Sequence, residues 1–189
     1  MQVICVCTGT KFDEWYVSNL KYMIDTYANI DYESFNVIRN SKFGGVYDKL
    51  LIFDLFRTNQ NLYFDLDILI KGDCNKFITK ELSVCHAWWR SDGDFYKLNP
   101  INSSIISWAG DRSDIFYKFN SNSDYYKRLY DRGIDQYLYD NFKPNTFEEK
   151  YTSYQINTKN LEKYDIYLFN QSHTYMKWQK WWKKFVLPT

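Results

Sequence analysis

The run Leu62-Tyr63-Phe64-Asp65-Leu66-Asp67-Ile68-Leu69-Ile70-Lys71-Gly72-Asp73 constrains the fold more than any other part of the chain. Apolar residues lead straight into two aspartates one residue apart, and apolar residues resume beyond them. Aspartate is a poor strand former, and burying an unpaired carboxylate is costly. Residues 61–70 therefore read as strand, sharp corner, strand, and the two aspartates need a partner. In a strand the i and i+2 side chains share a face, so Asp65 and Asp67 can reach one cation. Magnesium or manganese suits carboxylate and phosphate oxygens. A single Asp-x-Asp tripeptide is also a common polar turn, so its surroundings have to decide.

The surroundings are a βα series. Residues 2–7 are a short apolar run bounded by Thr8-Gly9-Thr10, which reads as a buried strand entering a loop. Over 13–27, Tyr16, Leu20, Met23, Ile24 and Tyr27 recur at helical steps. A second strand spans 35–38, and Gly44-Gly45 opens a helix through about residue 56. Strand, helix, strand, helix, strand is the α/β signature. Ligands of such sheets gather at the carboxyl ends of strands, which is where Asp65 and Asp67 fall. Farther on, 83–88 and 103–108 read as strands, and 114–119, 125–131 and 135–142 as short helices. Late strands are expected at 151–156 and 166–170, and a closing helix at 177–185. No repeat or linker divides the chain, so residues 1–189 read as a single domain.

Composition narrows the class. A formal net charge of +1 gives no global pull toward nucleic acid or membrane. No apolar run reaches the length of a membrane span. Cys5, Cys7, Cys74 and Cys85 have neither CxxC nor Cys/His spacing, so neither zinc nor disulfides are expected. With no leader-like start, the expected location is cytoplasmic. Aromatics make up 21% of the chain; they supply core volume, and some could stack on sugars or bases.

The 62–73 segment resembles the strand and D-x-D motif of GT-A glycosyltransferases, particularly the family-eight, glycogenin-like enzymes. Other segments agree in order: 3–11 with their first strand and nucleotide loop, Lys49-Leu50 with a basic residue and Leu before the motif, Asn102-Ser103-Ser104-Ile105 with a strand start, and Asp135-Gln136 with a D-Q pair. The resemblance covers most of residues 1–178 and implies a Rossmann-like mixed sheet flanked by helices. It implies transfer from a nucleotide-sugar donor, a UDP-sugar first among them, to an acceptor hydroxyl with the anomeric configuration retained, assisted by Mn2+ or Mg2+. It implies Asp65 on ribose and metal, Asp67 as the more direct metal ligand, and Thr8, Gly9 and Thr10 near base and ribose. Lys49 falls on the diphosphate, Asn102 and Ser103 near the donor sugar, and Gln136 at the anomeric centre beside Asp135. The family's His-Gly-x-x-Lys-Pro segment corresponds to His173-Thr174-Tyr175-Met176-Lys177-Trp178. There His173 implies a third metal ligand and Lys177 a phosphate contact, while Thr174 and Trp178 depart from the pattern.

Blander readings stand beside these. Lys49 and His173 could be surface residues, and Asp135 the N-cap of its helix. His86 reads as a packed strand residue. Trp88-Trp89-Arg90-Ser91-Asp92 and Trp108 are candidates for an acceptor cleft, and Asp111, Asp114 and Asp135 for a general base. The tail from Lys177 to Lys184 interleaves Trp178, Trp181 and Trp182 with lysines; it reads as a closing helix, with an acceptor or membrane-surface contact, or a nucleic-acid grip, as the alternative. Competing functions are a nucleotidyltransferase, a degenerate transferase that only binds sugar nucleotide or glycan, and a transferase acting on nucleic-acid bases, which the near-neutral charge disfavours.

Overall fold

The computed structural model describes residues 1–90, 99–148, 150–154, 163–170 and 183–188. Strands β1 (Gln2–Val6), β2 (Ser34–Ile38), β3 (Gln60–Phe64), β5 (Ser83–His86), β6 (Ile101–Ala109) and β7 (Asn145–Thr146) form the main sheet, in the order β2-β1-β3-β6-β5-β7. Strands β4 (Ile68–Ile70), β8 (Tyr151–Ser153) and β9 (Ile166–Leu168) form a smaller sheet, ordered β4-β9-β8. β1 pairs in parallel with both β2 and β3, while β6 runs antiparallel to β3 and β5. The helices are α1 (Glu14–Tyr27), α2 (Leu51–Leu55), α3 (Ser113–Ser121), α4 (Ser123–Leu129) and α5 (Ile134–Phe142). The mixed sheet between helices agrees with the α/β expectation.

Alternation along the strands builds two cores. Val3, Cys5, Leu62 and Phe64 point to one face, where α1 and the small sheet cover them. Ile4 and Tyr63 point to the other, under α2, α3 and α5. On α1 the residues at helical spacing, Tyr16, Leu20, Met23 and Ile24, are the buried ones, each worth roughly 1.5–3 kcal/mol of burial for its apolar part. Asp13 caps the helix by accepting from the Trp15 N–H at 3.0 Å.

Four expectations need correction. The helix expected over 44–56 is a 3₁₀ helix, Gly45–Leu50, followed by the short α2. Gly44 and Gly45 have φ of 84° and 59°, a left-handed pair that only glycine adopts cheaply, and Gly-Val at the start is a weak helix opener. Trp108 lines no cleft: it is fully buried, its ring 5.0 Å from that of Phe53 and its Nε1–H donating to the Phe56 carbonyl. Of the late elements, the strand expected over 151–156 ends at Ser153 and that over 166–170 at Leu168. Most of the closing helix expected over 177–185 lies outside the described residues; Lys183–Phe185 is a 3₁₀ turn.

The topology sets where a site can form. α1 leaves β1 for one face of the sheet, and the segment with α2 that leads into β3 covers the other. A crevice therefore opens at the carboxyl ends of β1 and β3. There the chain also changes sheets. The Asp65 N–H donates to the Ser104 carbonyl of β6 at 2.8 Å, and the Asp67 carbonyl accepts from Phe169, next to β9, at 2.9 Å. The corner between β3 and β4 is thus clamped at both ends, with Leu66 buried beneath it.

Candidate active site

A cleft of about 590 Å3 lies over this corner, within the size range of small-molecule sites. β1 and its following loop contribute Val6, Thr8, Lys11 and Phe12; the 3₁₀ helix contributes Gly45, Val46 and Lys49. Asp65 and Asp67 come from the corner, Asn102, Ser103 and Ser104 from β6, and Arg132 to Asp135 from the start of α5. Trp89, Arg90 and Asn170 complete the wall.

Asp65 is fixed by two donors. Its Oδ1 accepts from the Tyr63 hydroxyl at 2.5 Å and lies 2.7 Å from the Lys49 ammonium. Tyr63 sits two residues earlier and so on the same face. Burial first, and then the adjacent Asp65 charge, raise its phenol pKa well above the ordinary value, so it remains a donor. Lys49 also donates to the carbonyl and hydroxyl of Ser103, at 3.0 and 3.1 Å. Its ammonium is therefore held against β6 and is not a loose surface group.

Asp67 is less well compensated. It is 5% exposed, and among the described residues its nearest cation is the half-exposed Lys11, at 3.6 Å. Burial, and next the charge of Asp65, push its carboxyl up to about 7, against the opposing pull of Lys11 and Lys49. A nearly buried carboxylate with so little compensation is costly unless a cation joins it. The pair Asp65 and Asp67 fits a hard divalent ion in ligand chemistry. Among the described residues no third His, Cys, Asp or Glu joins them; His173 lies outside those residues, as does Lys177.

Asp135 corrects another expectation. It does not cap α5, because Gly133 occupies the N-cap position. Its Oδ1 accepts from the Ser103 N–H at 2.9 Å and the Ser103 hydroxyl at 2.5 Å, and its Oδ2 from Arg90 at 3.1 Å. Asn102 lies alongside, its Oδ1 accepting from the Ser104 N–H at 3.0 Å and its Nδ2 reaching Asn170 at 3.4 Å.

Among the sequence candidates, Thr8, Lys49, Asp65, Asp67, Trp89, Arg90, Asn102, Ser103 and Asp135 line one cleft; Ser91 and Asp92 lie outside the described residues. Gly9, Thr10 and Gln136 do not. Successive helical residues are turned by about 100°, and Gln136 is rotated away from the wall that Asp135 joins. Asp111 and Asp114 are not brought in either. They follow Ala109, which pairs with Gln60 at the far end of β3, about 13 Å from Phe64 at ~3.3 Å per residue. There Asp111 caps the Ser113 N–H at 2.7 Å and Asp114 pairs with Arg112. The sequence reading gave no role to Tyr63 or Asn170. The period of two marked Tyr63 as a neighbour of Asp65, whereas Asn170 carried no such signal.

No protein-family model matches the sequence. No curated protein matches it. Solved structures do match in fold. The apo form of the glycosyltransferase GlyE from Streptococcus pneumoniae TIGR4 superposes with a TM-score of 0.61 at 12% identity, over 100% of this chain and 64% of that one. A second GlyE structure gives 0.56 at 11% identity, over 79% and 46%. The galactosyltransferase LgtC, in complex with donor and acceptor sugar analogues, gives 0.60 at 8% identity, over 89% and 86%. The chain thus spans between about half and two thirds of the matched GlyE chains. It shares the GT-A fold of these glycosyltransferases.

Proposed function

We propose that the protein is a metal-assisted glycosyltransferase that moves a sugar from a nucleoside-diphosphate donor, a UDP-sugar first among them, to an acceptor hydroxyl. The observation that carries this reading is the delivery of Asp65 and the nearly buried Asp67 into one cleft at the carboxyl ends of β1 and β3. The GT-A fold supports it. Asp65 and Asp67 would hold Mn2+ or Mg2+, with His173 as a further ligand. Bound there, the cation would neutralise the diphosphate as it departs. Tyr63 and Lys49 keep Asp65 oriented for that role. Asn102, Ser103 and Asp135 form the wall that would take the sugar hydroxyls. In the reaction the acceptor oxygen bonds to the anomeric carbon, the bond to the diphosphate breaks, and the acceptor proton leaves with the diphosphate. Retention of configuration follows the resemblance to family-eight enzymes.

A second reading is favoured by one feature: both aspartates already face lysines, Lys49 at 2.7 Å and Lys11 at 3.6 Å. Such a cleft could bind a sugar nucleotide without metal or turnover. Thermal shifts with UDP, GDP, CDP, ADP and TDP, each with and without Mn2+, separate the readings. A metal-dependent shift with one nucleotide supports the transferase. A metal-independent shift supports the binding module, and no shift with any nucleotide overturns both. Analysis of product from the responding donor then gives the anomeric configuration.

A further inference from the structure

We infer that Arg90 is the positioning residue for the sugar end of this cleft. The inference rests on the donor site just described. Arg90 ends a 3₁₀ turn after β5 (Trp88–Arg90), and its guanidinium reaches three pieces of backbone and side chain at once. Nη1 donates to the carbonyl of Asn99 at 3.2 Å and to that of Ile101, the first residue of β6, at 2.7 Å. Nη2 donates to Asp135 Oδ2 on α5 at 3.1 Å. Both members of the ion pair are only 17% exposed, so it is little screened by solvent.

The planar guanidinium fork has a specific consequence. It ties the entrance to β6 and the first turn of α5 to one another, and the two elements supply opposite sides of the same wall. With Ser103 occupying Oδ1 and Arg90 occupying Oδ2, the Asp135 carboxylate cannot rotate, and its charge is balanced in place. It therefore offers one fixed lone pair, on Oδ2, to a hydroxyl donor in the cleft. Both oxygens are already engaged by Ser103 and Arg90, which argues on geometry against the base role considered for Asp135. Arg90 itself acts through Asp135. A lysine has neither the second donor arm nor the plane, so Arg90→Lys is not a conservative change here.

The test compares Arg90→Met and Arg90→Lys with wild type by calorimetry, using UDP on one side and UDP-glucose and UDP-galactose on the other, with Mn2+ present. Positioning predicts that UDP affinity stays within twofold of wild type. It also predicts that whichever sugar nucleotide gains affinity from its sugar loses that gain, by tenfold or more, in both variants. In a double-mutant cycle, Arg90→Met combined with Asp135→Asn should cost no more than Asp135→Asn alone. Equal weakening of UDP and sugar nucleotide would mean a purely structural staple and overturn the inference. So would additive losses in the cycle. If wild type binds neither UDP nor any sugar nucleotide, the donor-site reading fails and this inference fails with it.

Discussion

Asp48 and Asp67 are both buried aspartates, 0% and 5% exposed, in neighbouring parts of the molecule, and they are held in opposite ways. Asp48 Oδ1 accepts from the N–H groups of Lys42, Phe43 and Gly44 at 2.9, 2.7 and 2.9 Å. Burial pushes its carboxyl up, yet the Ser41 hydroxyl and those amides outweigh it, and its pKa lies below the ordinary value. Asp67 has a lysine at 3.6 Å, and its pKa rises. One carboxylate is held through its Oδ1 by three backbone amides and closes a loop. Among the described residues the other has a lysine only at 3.6 Å, where a ligand can supply further partners. Burial alone does not mark an acid as functional; the deficit in compensation does.

The comparison can be broken from either side, and the largest effect should fall on activity. Asp67→Asn keeps the shape and removes the charge. Transfer activity should fall at least 100-fold, on the order of 3 kcal/mol of lost transition-state stabilisation, and the Mn2+-dependent thermal shift should vanish. Activity within threefold of wild type would make the corner a polar turn. Asp48→Ala should instead act on stability. It strands three amide donors, and at ~1–3 kcal/mol for each unsatisfied group the loss should be about 3 kcal/mol or more by urea denaturation. Intact stability would mean the loop finds other acceptors.

The two acids should also give opposite pH slopes in the metal-free protein. Asp67 has a raised folded pKa, so the folded state holds its proton more tightly. Its contribution is full below the unfolded carboxylate value of about 4 and is lost as pH rises through about 7. Unfolding free energy measured at pH 5 and pH 8 should fall, and Asp67→Asn should flatten that fall by about 1–3 kcal/mol. Asp48 has a lowered folded pKa. Its contribution is present above the unfolded value and is lost as pH drops through the folded one, so Asp48→Asn should flatten only the acid limb.

The smallest effect concerns Lys11. Its side chain is 49% exposed and stands 3.6 Å from Asp67, so the pair is worth roughly 0.2–1 kcal/mol. Replacing it as Lys11→Met should tighten Mn2+ binding a few-fold in the absence of nucleotide, measured calorimetrically. Weaker binding would show that Lys11 supports the site and does not compete for it.

Much of this was legible in the chain because it depends on local periodicity. The apolar run of β1, the spacing of Tyr16, Leu20, Met23 and Ile24, and the corner at Asp65 and Asp67 each follow from residues a few positions apart. The carboxyl-end rule then located the cleft from strand order alone. Trp108 was misplaced because a tryptophan on a strand carries the same signal whether it faces a core or a groove. Asp111 and Asp114 were misplaced because an acidic loop residue gives no hint of which end of the sheet it occupies. Only the antiparallel pairing of β6 with β3 sends them away from Asp65.

The sequence by itself determined the α/β order, the switch from strand to corner at residue 65, and the pair of carboxylates that must find a partner. Those follow from propensity, patterning and the cost of burying charge, all of which act over short stretches of chain. The tertiary structure decided which distant residues answer them. Lys49 meets Asp65 and Ser103, Arg90 meets Asp135, and Lys11 pairs with Asp67 at the longer distance of 3.6 Å. These pairings span 16 to 56 positions along the chain and depend on strand register and crossover direction, which no local pattern encodes.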